Sequence, residues 1–173
     1  LLAVCVALRP ARVLSRDEGG VSNYGVHVVT VVPYTLAYAI GAWLLVRAAR
    51  AMAGPGSASL RRLALLLGAL MAATLVTTYA YTRDTAWRDG HFAVGAAFVL
   101  AEAASAPWLA RRASRPAGAV LVTLVLAGVA LCALATVGVW RVLFAGQVLL
   151  TAGYAPLLVI ATARLSVGLR GPR

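Results

Sequence analysis

The sequence predicts an all-α fold: a polytopic integral membrane helical bundle with six transmembrane helices, the first of them truncated. Three observations predict it. Of the 173 residues, 62% are hydrophobic and only 12% charged, with a mean hydropathy of +0.87. A soluble domain of this length could not hide that much apolar surface in one core. Apolar runs long enough to cross a bilayer core of about 30 Å, which takes about 20 helical residues, alternate with short polar gaps. Finally, the cations follow a rhythm. There are sixteen arginines and no lysine, and every second gap is arginine-rich.

The first apolar piece, 1–8, is too short to span and is read as the outer end of a truncated helix. The alternative, a cut signal peptide, lacks a basic leading region and a small-residue cleavage site. Five full spans follow, at about 24–46, 60–81, 91–109, 118–139 and 142–163. A single helix through the last two would be about 70 Å long, so they are expected to fold as a tight hairpin with Trp140 and Arg141 at the interface. The segment 52–59, rich in Gly, Ser and Pro, reads as a flexible loop. No internal repeat is evident, and the whole chain reads as a single transmembrane domain.

The gaps set the orientation. Arg47, Arg50, Arg61 and Arg62 flank one gap, Arg111, Arg112 and Arg115 fill another, and Arg164, Arg170 and Arg173 lie in the tail, none accompanied by an acid. The alternate gaps hold Arg9, Arg12 and Arg16 with Asp17 and Glu18, Arg83 and Arg88 with Asp84 and Asp89, and Arg141 alone. Counting arginines places the first set and the C-terminus in the cytoplasm of a bacterial inner (plasma) membrane. The net charge of +11 does not imply nucleic acid, because the arginines sit at the ends of apolar runs and form no stripe. The absence of lysine reads as the coding bias of a GC-rich genome. Cys5 and Cys132 have no metal-type spacing and read as two buried thiols.

Chemistry is expected on the outer side, where four of the five acids and both histidines fall. Spacing puts His27, Tyr34 and Tyr38 on one face of the second span, and Thr74, Thr77, Thr78 and Tyr81 on one face of the third. His91, Gly95, Phe98 and Glu102 share a face of the fourth, and Gln147, Thr151 and Tyr154 a face of the sixth. Such polar stripes turn inward, because an unpaired polar group in hydrocarbon costs several kcal/mol. For the threonines the expected role is simpler, a bond to the carbonyl four residues back. Glu102 stands apart, about 16 Å along its helix from His91. A carboxyl so deep is expected to be neutral or paired, with Tyr38 or Gln147 as neighbours, and either to serve function or to hold two helices together.

His27, His91, Asp84 and Asp89 offer imidazole and carboxylate ligands that could hold zinc, though no dedicated ligand spacing joins them. No other cofactor is expected, since a bis-histidine haem would have only this one histidine pair to use. There is no G-x-S-x-G elbow, P-loop or dinucleotide fingerprint, so no catalytic residue is assigned and enzymatic activity is not the leading expectation.

The segment Leu14-Ser-Arg-Asp-Glu-Gly-Gly-Val-Ser-Asn-Tyr-Gly25 resembles the first outer loop of the DUF998 membrane proteins. Those in turn resemble the Frag1/DRAM/Sfk1 group, six-helix proteins with a similar outer loop. His91 leading a helix with small residues and Phe98 is similar to a His-led helix of that group. The resemblance covers about a third of the chain. It implies a six-helix bundle and no agreed activity. The leading expectation is an outward-facing polar pocket that binds or moves a small or lipid-like ligand, lined by His27, Tyr34, Tyr38, His91, Glu102 and Gln147. The alternatives are a metal-dependent membrane hydrolase using His27, His91 and an outer Asp, and a structural subunit of a membrane complex.

Overall fold

A computed structural model describes residues 1–10, 20–52, 55–80, 83–138 and 142–168. Six α-helices form: α1 Leu2–Leu8, α2 Val31–Ala51, α3 Ala58–Thr78, α4 Thr85–Ala110, α5 Arg115–Thr136 and α6 Leu143–Gly168. A 3₁₀ helix, Gly20–Val26, precedes α2 and a short one, Pro55–Ser57, precedes α3. There is no strand among the described residues. Helices α2 to α6 are each long and apolar enough to cross a membrane; α1 is not one of these five. The expected hairpin apex, Trp140-Arg141, lies outside the described residues, as do Arg12, Arg16, Asp17, Glu18, Tyr81, Arg170 and Arg173.

Two helix starts differ from the sequence expectation. The second span was expected from about residue 24, but 20–26 is 3₁₀, 27–30 is a turn, and α2 begins at Val31. Pro33 explains the delay. In a helix from 24 its ring would collide with the Val29 carbonyl. A start at Val31 places Pro33 in the first turn, where an N–H has no intrahelical acceptor anyway. His27 therefore does not share a helical face with Tyr34 and Tyr38. The fourth span was expected from His91, yet α4 starts at Thr85. Asp84 is the start signal that hydropathy overlooked: its Oδ1 accepts the backbone N–H of Trp87 at 2.9 Å, as an N-capping residue does. His91 lies in the second turn of α4 and does not open it.

The chain forms two compact units, Leu1–Phe98 and Val99–Arg173, whose boundary falls inside α4. In the first unit α2 and α3 pack antiparallel. Tyr34 meets Thr78 at one end, and Gly68 meets Ala42 and Val46 further along. The 3₁₀ helix Gly20–Val26 seats against the Tyr34–Thr78 end so tightly that only glycine fits at 25. A Cβ there would lie 2.5 Å from Thr78 Cγ2 and 2.6 Å from Tyr34 Cε1. Thr30 ties this segment down by donating its hydroxyl to the Tyr24 carbonyl at 2.7 Å.

In the second unit α5 and α6 form an antiparallel hairpin, as expected. Its crossing point is Gly128 against Gly146: a Cβ on Gly128 would lie 2.5 Å from Leu150 N and 2.7 Å from the Gly146 carbonyl oxygen. Two backbones approach this closely only where side chains are absent, the packing mode lipid favours because burial of apolar side chains gains nothing there. Both cysteines are free and buried, Cys5 in the first unit and Cys132 in the second.

The arginine-rich helix ends carry a repeated local device. Arg47 lies over the Trp43 ring at 5.1 Å and Arg112 over the Trp108 ring at 4.3 Å. Each pair is one helical turn apart. A guanidinium over an indole face is a cation–π contact, and Trp and Arg are the residue types that anchor helix ends at membrane interfaces.

Candidate functional site

Polar side chains in the first unit gather at the Tyr34–Thr78 end of the helix pair. Tyr34 is 1% exposed and Thr78 fully buried. Thr78 spends its hydroxyl proton on the Thr74 carbonyl at 2.7 Å, so the 3.0 Å bond between Tyr34 and Thr78 is donated by the tyrosine. Ser22 and Tyr38 also reach the Tyr34 phenol, and the Tyr34 and Tyr38 rings stack with centroids 4.6 Å apart. By the same accounting Thr77 donates to the Ala73 carbonyl at 2.8 Å, and His91 Nδ1 donates to Thr77 Oγ1 at 3.0 Å. Thr74 bonds the Leu70 carbonyl at 2.8 Å. The threonines thus behave as expected, bonding their own helix four residues back.

These bonds engage the Tyr34 phenol and His91 Nδ1, and both side chains are buried. His27 is placed differently. It lies in the turn before α2 and, with Gly25, Val26, Val28, Val31, Tyr79 and Arg83, lines an open cleft of about 370 Å³. Tyr79 and Arg83 were not singled out in the sequence. Arg83 reads from the sequence only as a topology signal. Their position next to each other at the end of α3 was the available signal. Tyr79 is held in place by a hydrogen bond to Thr35 Oγ1.

Among the described residues the outer acids are Asp84 and Asp89, and each has a local partner. Asp84 caps α4. Asp89 Oδ1 lies 4.0 Å from Arg88 Nε, with both side chains mostly exposed. Among the described residues no three His, Cys, Asp or Glu side chains gather as a metal site would require.

In the second unit Glu102 of α4 is buried, as are Cys132 of α5 and Tyr154 of α6. Tyr154 Oη and Ser105 Oγ are 2.7 Å apart, and Ser105 also donates to the Ala101 carbonyl at 2.6 Å. The tyrosine is therefore the donor in the Tyr154–Ser105 pair. Of the expected α6 stripe, Tyr154 is buried and Gln147 half-buried, but Thr151 is exposed and bonds the Gln147 carbonyl at 2.9 Å. A self-bonded threonine has no need of the interior, so Thr151 leaves the stripe. The expected lining residues thus fall into two groups: His27, Tyr34, Tyr38 and His91 in one unit, Glu102 and Gln147 in the other.

Five apolar spans with polar side chains bonded within the helices define an integral membrane protein of the α-helical class. No family model, curated protein or solved structure matches the chain.

Proposed function

We propose that this is a small six-helix membrane protein of the DUF998 type that binds or moves a small or lipid-like ligand, and that the ligand enters at the His27 cleft. The observation that carries the reading is the cleft itself. Its volume of about 370 Å³ lies in the range of small-molecule sites, and its wall combines three valines with an imidazole, a phenol and a guanidinium. Mostly apolar walls with a few convergent polar groups are the usual make-up of such sites.

Arginine counting supplies the direction. Arg47, Arg50, Arg61 and Arg62 lie at the opposite end of the α2–α3 pair from His27 and Arg83. With the arginine-rich end in the bacterial cytoplasm, the cleft opens outward and the C-terminus is cytoplasmic. On this reading the 3₁₀ helix Gly20–Val26 is the part of the DUF998-like loop that closes over the helix pair.

Thermal unfolding of the purified chain in neutral detergent tests the reading. A single-chain amphiphile that binds should raise the unfolding temperature with dose, and Val31→Trp, which fills the cleft, should remove the effect. Absence of stabilisation by any amphiphile or polar small molecule, with the protein folded, would rule the reading out.

A further inference from the structure

We propose that the cleft takes an anionic amphiphile: a phosphate or carboxylate head on an apolar chain. The assignment rests on the ligand-binding reading of the same cleft. In sequence the gap at 83–89 is neutral, two arginines against two acids. The fold undoes that balance. Asp84 is turned to the Trp87 N–H, and Asp89 sits beside Arg88. Arg83 forms no ion pair among the described residues and lines the cleft, where it is the only formal charge among the described lining residues. A guanidinium has five donors and no acceptor, and its fork matches phosphate and carboxylate.

The other polar groups agree in sign. Thr35 gives its proton to the Val31 carbonyl, so the Tyr79 phenol donates to Thr35 and contributes its ring to the cleft wall. His27 also lines the cleft, with its Nε2 buried. Val31, the first residue of α2, also lines the cleft. Thr30 makes no side-chain cap there, and the first turn holds no acid. The positive end of this 21-residue helix is thus not matched by an acid of its own first turn.

The head must carry a tail, because the cleft's apolar side runs on. Val26, Val28 and Val31 line it, and Val28 is 91%, Val32 62% and Val29 58% exposed. These valines lead from the cleft onto the lipid-facing start of α2. A free anion would leave the valines uncovered, and a neutral amphiphile would leave Arg83 unmatched.

The test uses the purified full chain in a neutral maltoside detergent. Dodecyl phosphate, laurate, dodecylphosphocholine, dodecyltrimethylammonium and inorganic phosphate are titrated separately. Dodecyl phosphate or laurate should bind about tenfold or more tightly than the zwitterionic and cationic amphiphiles, the range of one charge-assisted hydrogen bond. Which of the two binds better tells a phospholipid-type head from a fatty-acid head. Arg83→Gln should abolish the preference while tail binding persists. Arg88→Gln, in the same gap but outside the cleft, should keep it. Equal binding of all four amphiphiles would overturn the anionic assignment while leaving the ligand-binding reading intact. Binding of none would overturn both. Inorganic phosphate binding as well as dodecyl phosphate would overturn the need for a tail. A preference that survives Arg83→Gln would overturn the site.

Discussion

The Tyr34 phenol donates to Thr78 Oγ1 at 3.0 Å, joining α2 to α3 where both side chains are buried. The bond closes a short chain, since Thr78 passes its own proton to the Thr74 carbonyl. Tyr34→Phe should therefore destabilise the first unit by about 0.5–1.5 kcal/mol, the span measured for single hydrogen bonds in water and in membranes. Thr78→Val should cost a similar amount, and the double variant little more than either alone. Unfolding of the three variants in detergent, read as a double-mutant cycle, measures this. Additive losses would show that the two groups do not act as a pair.

Glycines at 128 and 95 should respond with opposite signs. A Cβ on Gly128 would meet α6 backbone atoms at 2.5 and 2.7 Å, whereas a Cβ on Gly95 would meet nothing within 4 Å. Gly128→Ala must push α5 and α6 apart and should cost about 1–3 kcal/mol, as overpacking does. Gly95→Ala should be neutral or stabilising by up to about 1 kcal/mol, because alanine is the better helix former. Thermal unfolding of both variants in the same detergent checks the contrast.

Asp84 separates a cap from a metal ligand. As the cap of α4, Asp84→Asn should be tolerated and Asp84→Ala should cost about 1 kcal/mol. Neither loss should depend on zinc. Unfolding curves with added zinc and with a chelator supply the measurement; a zinc-dependent difference between wild type and Asp84→Ala would restore Asp84 as a ligand.

Glu102 should be a cost to stability. Its side chain is buried among the apolar helices of the second unit. Such a group is expensive in an apolar interior. Glu102→Leu should raise the unfolding temperature, by an amount equivalent to about 1 kcal/mol or more, and Glu102→Gln should do so less or not at all. Destabilisation by Glu102→Leu would mean that the carboxyl holds helices together, the alternative role expected from its depth.

The candidate site was legible only in outline. The side of the gaps that carries His27 and Arg83 followed from arginine counting, and His27 does line the cleft. Tyr34 and His91, polar groups at helical spacing, are buried and bonded to α3. Spacing reports which residues share a face but not what that face meets. The helical face of His27, Tyr34 and Tyr38 failed on one residue, Pro33, whose steric demand delays the helix.

Five apolar spans, arginines at alternate ends and a concentration of histidine and acid in the other gaps were all determined by the sequence alone. These follow from the free energy of moving each side chain between water and lipid, which sums residue by residue and needs no partner. The tertiary structure alone decided that Asp84 caps a helix, that Tyr34 is sealed against Thr78, and that Arg83 lines a cleft with His27 and Tyr79. Those outcomes depend on the rotation and register of each helix. Here the spans are apolar nearly all round, and a single hydrogen bond or a glycine contact sets the register where periodicity does not.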